Sequence, residues 1–249
     1  MSELWNGFRL ESFLFEGKQG YVVFPEAGTS NGRLMVKTEY WGAFPEAVEL
    51  PLLERGFHVC CLQNENRWGT NADLDRKARF VRFVQEKYHL VSRVVPIGMS
   101  CGGLIAIKFA ARYPELIACL YLDAPVVNYL SCPCGFGVGE RLGDGSGIPE
   151  ILNALGLDSI SQLLGYRDMP LDHIPRLVAE KIPIVMVAGG SDTTVPFCEN
   201  GALLKNAYRE AGGEIEVYLK PNCGHHPHGL SDPAPVIEFI LRHCMEFRS

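Results

Sequence analysis

Three features are missing from this sequence of 249 residues, and each absence argues against a class of function. It has no run of lysine or arginine, and its formal net charge is −6, so a nucleic acid is not an expected partner. No apolar run is longer than a strand, so we predict neither a membrane span nor a membrane partner. The N-terminus is neither basic nor followed by an apolar core, so we predict no export signal and a cytoplasmic protein.

The cysteines do not indicate a disulfide framework. There are nine of them, an odd number, scattered along the chain and in part within predicted strands and helices. Without an export signal we interpret them as reduced and mostly buried. Cys132 and Cys134 are the one close pair. A single C-x-C pair is a weak zinc signal, so we interpret these two as loop cysteines.

The chain contains short apolar strands that alternate with helices. The predicted strands cover residues 8–15, 21–25, 33–38, 57–62, 94–99, 116–122, 182–190 and 214–220, and the main helices cover residues 46–55, 72–88, 101–113, 198–211 and 232–245. This alternation predicts an α/β fold with a mostly parallel sheet and helices on both faces. The alternation stops at about residues 126–180, where we expect a cap-like insertion within a single domain of residues 1–249.

The segment Gly98-Met99-Ser100-Cys101-Gly102 joins the predicted strand at 94–99 to the helix that follows. A G-x-S-x-G sequence between a strand and a helix is typical of a sharp turn that exposes a nucleophilic serine. The flanking glycines leave room for the strained backbone. Ser100 would stand at the positive end of the helix, and the Cys101 amide would point to where an oxyanion forms.

A histidine and a carboxylate must accompany such a serine, and the chain supplies them in the order Ser100, Asp192, His225. Both partners follow predicted strands, and the ends of parallel strands share one edge of the sheet. The order and positions resemble the α/β-hydrolase superfamily, in its serine esterase and prolyl-oligopeptidase-like branch, from about residue 20 onward. The resemblance implies that Ser100 is the nucleophile, Asp192 the orienting acid and His225 the general base.

Two of these assignments have rivals in the sequence. Asp123 also follows a predicted strand, and some members of the superfamily carry the acid one strand earlier. His226 and His228 lie in the same loop as His225, but a glycine before the histidine is the superfamily's habit, which favours His225. No H-x-x-x-H or partnered cysteine spacing supports a closed site, so we predict no metal and no cofactor.

The resemblance also implies a second oxyanion donor after the strand at 33–38. Members of the superfamily often have His-Gly there, whereas this chain has Glu39-Tyr40-Trp41-Gly42. The register of the strand end favours the Trp41 amide as the donor, with Tyr40 as the alternative. We also expect Tyr40, Trp68 and His226 to line a substrate pocket.

The implied reaction is acyl transfer to water through a covalent acyl-enzyme. We predict a carboxylic ester hydrolase acting on a small-molecule ester, with a short acyl group or an acylated carbohydrate as substrate. The polar loop at residues 63–68 suits sugar-like ligands. The alternatives are a peptidase of the prolyl-oligopeptidase-like branch and a non-catalytic binding protein of the same fold. The sequence leaves the oligomeric state open, with a homo-oligomer as one alternative.

Overall fold

The computed structural model describes residues 3–42, 47–140 and 147–245. Within these residues, nine strands form one sheet. The strands are β1 (Glu3–Trp5), β2 (Phe8–Phe15), β3 (Lys18–Val23), β4 (Leu34–Lys37), β5 (His58–Leu62), β6 (Val94–Met99), β7 (Leu120–Asp123), β8 (Ile184–Gly189) and β9 (Ile215–Lys220). Their order across the sheet is β1-β2-β3-β5-β4-β6-β7-β8-β9.

The sheet is parallel from β5 to β9 and antiparallel at its N-terminal edge. β4 pairs in parallel with both β5 and β6, while β1, β2 and β3 form a meander that joins β5 in antiparallel register. This architecture confirms the predicted α/β-hydrolase fold. The edge strand is β1 rather than the predicted segment at 8–15. The sequence does not indicate β1, because three residues are too few to show the alternation that identifies a strand.

The described residues contain eight α-helices. These are α1 (Glu49–Glu54), α2 (Asn71–Tyr88), α3 (Cys101–Arg112), α4 (Gly147–Leu155), α5 (Ile160–Gly165), α6 (Ile174–Ala179), α7 (Gly201–Glu210) and α8 (Ala234–Met245). The first residue of the helix predicted at 46–55 lies outside the described residues. After α3, residues Pro114–Leu116 form a 3₁₀ turn, so β7 begins at Leu120 rather than at residue 116.

Two hydrophobic cores lie on opposite faces of the sheet. Successive strand residues point to opposite faces, so Val36 joins the core with α2, α3 and α7, whereas Met35 joins the core with α1 and α8. The central strands are buried along their whole length because helices cover both of their faces.

The strand order reverses beside β4. The chain passes from β4 outward to β5 and then returns to β6 on the other side of β4. Ligand sites of open parallel sheets lie at such a reversal, outside the carboxyl ends of the strands. Ser100 follows β6 and Glu39 follows β4, so both lie at this point of the sheet.

Residues 126–180, predicted as a cap-like insertion, contain α4, α5, a 3₁₀ turn at Pro170–His173 and α6 up to Ala179. An ion pair with one buried partner ties this segment to α3, since Lys108 Nζ lies 2.8 Å from Asp168 Oδ2 and the side chains of Lys108 and Asp168 are 1% and 31% exposed. Asp168 also contacts His173 Nε2 at 2.7 Å and accepts a hydrogen bond from Tyr166. Asp168 is therefore the centre of a polar cluster between the segment and the helix after Ser100.

Candidate active site

Ser100 occupies a strained turn between β6 and α3. Its φ is 52° and its ψ is −121°, a conformation that costs energy for any residue with a side chain. The turn is tight enough that a Cβ on Gly98 would lie 2.4 Å from the carbonyl oxygen of Gly102. Glycine is therefore required at position 98, as the G-x-S-x-G motif predicts.

The structure brings Ser100, His225 and Asp192 into one hydrogen-bonded row. His225 Nε2 lies 3.2 Å from Ser100 Oγ, and His225 Nδ1 lies 2.7 Å from Asp192 Oδ2. The Asp192 side chain is 1% exposed and that of His225 is 13% exposed. The second carboxylate oxygen of Asp192 accepts the backbone N–H groups of Thr194 and Val195 at 2.9 and 2.8 Å, which fixes its orientation.

The turns after β8 and β9 place these two partners. The backbone N–H of Ser191 donates to the carbonyl of Cys223 at 2.9 Å, so the two turns are joined. They are also pressed together, because a Cβ on Gly189 would lie 2.2 Å from the carbonyl oxygen of Gly224. The distance between Asp192 and His225 is thus set by backbone contacts.

The residues predicted for the oxyanion site lie on two loops. Cys101 is the first residue of α3, so its amide is one of those at the positive end of the helix. The Tyr40 amide donates to Glu39 Oε1 at 3.3 Å. The Tyr40 hydroxyl hydrogen-bonds the Cys101 thiol, and burial raises the pKa of both groups, that of the thiol to about 11. Because the Tyr40 amide already donates to Glu39, the Trp41 amide stays our prediction for the second oxyanion donor.

Trp41 belongs to an aromatic stack. Its ring lies 4.7 Å from that of Tyr21 and 5.3 Å from that of Trp5, in nearly parallel planes. Beside the stack is a cavity of about 300 Å³, whose lining includes Tyr21, Tyr40, Trp41, Glu39, Gln63 and Asn64. Tyr40 and Trp41 thus face a common cavity next to the reversal point of the sheet.

Trp68 does not present a surface to solvent, in contrast to the prediction that it lines a substrate pocket. It is fully buried, and its indole N–H donates to Glu150 Oε1 at 3.0 Å. Glu150 also binds Arg67, which donates to the same carboxylate through both Nε and Nη2. The indole thus holds α4 against the loop at 63–68. No sequence signal reveals this contact, because Glu150 lies more than 80 residues away along the chain.

Asp123, the rival acid, has a different histidine as its partner. Asp123 Oδ1 lies 2.9 Å from His228 Nδ1, and Oδ2 accepts hydrogen bonds from the Tyr121 hydroxyl and the Gly229 amide. Asp123 and His228 are both buried. The site therefore contains two carboxylate–imidazole pairs side by side, and no sequence pattern indicates the second pair.

His226 is the exposed member of the histidine loop. Its ring centroid lies 5.1 Å from that of His225 and 4.8 Å from that of His228. Partial burial of its ring is the main cause that lowers the pKa of His226, and the two neighbouring imidazoles lower it further. The predicted pocket residue thus stands at the solvent edge of the row formed by Ser100 and His225.

None of the helices in residues 3–42, 47–140 and 147–245 combines the length and apolar character that a membrane span requires.

The sequence matches the profile of the Prolyl oligopeptidase family over residues 62–245, which is more than half of the chain. The chain belongs to the prolyl oligopeptidase family. This membership confirms the resemblance to the α/β-hydrolase superfamily and places the chain in its prolyl-oligopeptidase branch of serine hydrolases. No curated protein matches the chain.

Solved structures of similar fold include peptidases. The acylaminoacyl peptidase of Pyrococcus horikoshii has a TM-score of 0.69 at 15% identity, over 96% of this chain and 41% of its own. A putative dipeptidyl aminopeptidase IV from Bacteroides ovatus has a TM-score of 0.70 at 15% identity, over 96% of this chain and 35% of its own. Dipeptidyl peptidase 4 of Porphyromonas gingivalis has a TM-score of 0.71 at 14% identity, over 94% and 35%. This chain thus spans about two fifths or less of their lengths, and the likeness is one of fold.

Proposed function

We propose that this chain hydrolyses amide bonds through a covalent acyl-enzyme on Ser100. Its proposed substrates are peptides or peptide-like amides. The observation that carries the reaction is the row in which His225 lies 3.2 Å from Ser100 Oγ and 2.7 Å from Asp192. The observation that favours amides over esters is membership of the prolyl oligopeptidase family.

In the proposed mechanism, Ser100 Oγ attacks the carbonyl carbon while His225 Nε2 takes its proton. Asp192 keeps Nδ1 protonated and stabilises the imidazolium that forms. The amide of Cys101 and, by our assignment, that of Trp41 stabilise the oxyanion. His225 then gives the proton to the leaving group, and a water molecule deprotonated by the same nitrogen releases the acid.

We further propose that the substrate does not present a free amine to this site. A carboxylate would recognise such an amine, and Glu39 and Glu150 are both close enough to raise the pKa of the Cys101 thiol. Among the described residues, however, both already have partners. Asn64 donates to Glu39 at 2.6 Å, and Glu150 accepts hydrogen bonds from Arg67 and Trp68. Peptides with a blocked N-terminus fit this arrangement better.

A second candidate is the hydrolysis of short-acyl esters or acylated carbohydrate. The cavity of about 300 Å³ beside the Trp41 stack favours it, because its lining combines an aromatic face with carboxylate and amide groups. Such a combination suits hydroxyl-rich ligands as well as peptides.

A substrate panel on wild type and Ser100→Ala separates these proposals. It contains N-blocked and free-amine peptide p-nitroanilides, p-nitrophenyl acetate, butyrate and octanoate, and acetylated sugars. We expect cleavage of the blocked anilides that depends on Ser100. Cleavage of esters or sugar acetates without any anilide would support the second candidate. A folded wild-type protein that cleaves none of them would contradict both and favour a binding protein.

A further inference from the structure

Three imidazoles, of His225, the exposed His226 and the buried His228, converge beside Ser100. One ring nitrogen from each of His225, His226 and His228 lies within 4.8 Å of the other two. The three ring centroids are 4.8–5.1 Å apart, and the ring planes are nearly perpendicular to one another. The sequence spacing did not predict a metal site, because it departs from that of closed structural sites. The loop nevertheless gathers three imidazole ligands within four residues.

A carboxylate contacts Nδ1 of two of these rings and fixes their orientation. Asp192 contacts Nδ1 of His225 at 2.7 Å, and Asp123 contacts Nδ1 of His228 at 2.9 Å. A carboxylate on one ring nitrogen is the usual outer contact of a histidine that binds metal through its other nitrogen, because it fixes the tautomer and raises the basicity of the ligand. The side chains of Asp123 and Asp192 are 2% and 1% exposed, so both contacts are shielded from water.

We propose that His225, His226 and His228 bind a divalent transition-metal ion of the zinc class, and that this ion inhibits the enzyme. Nδ1 of His225 is engaged by Asp192, so the metal ligand is Nε2. That nitrogen is also the atom that lies 3.2 Å from Ser100 Oγ. An ion on Nε2 occupies the lone pair that must accept the serine proton. The inference rests on the proposed function, since only a catalytic His225 makes the ion an inhibitor.

The ligand set decides which ions fit. Neutral imidazoles favour Zn²⁺, Cu²⁺, Ni²⁺ and Co²⁺ over Mg²⁺ and Ca²⁺, which prefer oxygen ligands. In a tetrahedral site with Zn–N bonds of about 2.0–2.1 Å, the nitrogens are about 3.4 Å apart. The rings must therefore close from the 4.8 Å limit by about 1.4 Å. His226 is exposed and can supply the movement of its own nitrogen, whereas any closure between His225 and His228 requires a shift of rings held by Asp192 and Asp123. The fourth position is left for water.

The test measures binding and inhibition separately. Wild type, His226→Ala and His228→Ala are stripped with a chelator. The control is His89→Asn, which changes an exposed histidine at a left-handed position outside the loop and which asparagine tolerates. Zn²⁺ binding is followed by calorimetry, and Co²⁺ binding by its visible absorption. The rate of labelling by a fluorophosphonate probe is compared with and without Zn²⁺ within each variant.

We expect one Zn²⁺ per chain, a tetrahedral Co²⁺ spectrum and no binding of Mg²⁺. In wild type and His89→Asn, Zn²⁺ slows labelling, whereas His226→Ala weakens Zn²⁺ binding about 10-fold or more and shifts the inhibition by the same factor. Equal binding by wild type and His226→Ala, or Zn²⁺ binding with no effect on labelling, would overturn the proposal. If metal-free wild type is not labelled while Zn²⁺ still binds through His226, the proposed function fails and the metal site stands.

Discussion

Asp123 and Asp192 occupy comparable places in the sequence, each just beyond a buried parallel strand, but they have different partners. Asp192 contacts His225, whereas Asp123 contacts His228, the Tyr121 hydroxyl and the Gly229 amide. The difference arises because the histidine loop returns over the end of β7 after passing the turn that follows β8. Asp123 therefore holds the loop through His228 and Gly229, whereas Asp192 contacts the histidine beside Ser100 and remains our proposed orienting acid.

Replacing each carboxylate by its amide should separate these two roles. Asp192→Asn removes the charge that holds the His225 tautomer, so we expect kcat/KM to fall by about 10,000-fold. Asp123→Asn weakens buried hydrogen bonds, so we expect the free energy of unfolding to fall by about 1–3 kcal/mol. Activity assays and denaturant unfolding of both variants check this. A greater loss of activity in Asp123→Asn, at full stability, would move the acid to the earlier strand.

Two elements that are distant in the sequence meet at the polar cluster around Asp168. Lys108 lies on α3, directly after the turn of Ser100, and its side chain is 1% exposed. Burial raises the pKa of the Asp168 carboxyl, but hydrogen bonds from His173 and Lys108 outweigh that effect and lower the pKa. The cluster thus favours the charged form of Asp168 at the junction between α3 and residues 126–180, whereas burial lowers the pKa of the Lys108 ammonium.

Removal of one partner of this ion pair should lower the free energy of unfolding more than removal of both partners. Asp168→Ala leaves the Lys108 ammonium buried without its counter-charge, so we expect a loss of about 3 kcal/mol in the free energy of unfolding. In Lys108→Met/Asp168→Ala we expect about 1–3 kcal/mol of that loss to be recovered. Denaturant unfolding of the two single variants and the double variant measures this coupling. Strictly additive losses would show that the pair does not tie the two elements together.

Across the whole molecule, the nine cysteines divide by burial rather than by position in the sequence. Cys60, Cys61, Cys101, Cys119, Cys132 and Cys134 are buried, whereas Cys198 is exposed and Cys223 and Cys244 are half-buried. Five of the buried ones lie in the two cores, so their access to solvent requires the sheet and its helices to separate, whereas Cys61 lines the cavity beside Trp41. Burial also raises the pKa of the Cys61 thiol to about 11, which keeps it protonated and unreactive at neutral pH.

Thiol titration should therefore report on the integrity of the fold. In the native protein we expect a chromogenic disulfide reagent to react rapidly with Cys198 and more slowly with Cys223 and Cys244. The five thiols in the cores should react only at the rate of unfolding, and all nine should react at once in denaturant. Nine equally fast thiols in the native protein would contradict the two packed cores.

The fold and the proposed row were predictable because local patterns encode them. Alternating apolar strands and helices predicted the parallel sheet, and Gly98 to Gly102 predicted the turn at Ser100. The Asp123–His228 pair, the Glu150 contact with Trp68 and the Lys108–Asp168 pair were not predictable. Each joins residues more than 50 positions apart through contacts that only the folded chain creates. Trp68 lies in a polar loop, which suggested a pocket residue. The sequence of such a loop does not show which of its side chains is buried.

The most direct measurement is to treat the protein with a fluorophosphonate and locate the adduct by intact mass and peptide mapping. A serine activated by His225 should form one adduct per chain, on the peptide that contains Ser100, and Ser100→Ala and His225→Ala should form none. The matched control is Ser191→Ala, because Ser191 is a serine next to Asp192 whose hydroxyl donates to the Pro221 carbonyl. An adduct on a residue other than Ser100, or a folded wild-type protein that is not labelled, would contradict the proposed nucleophile.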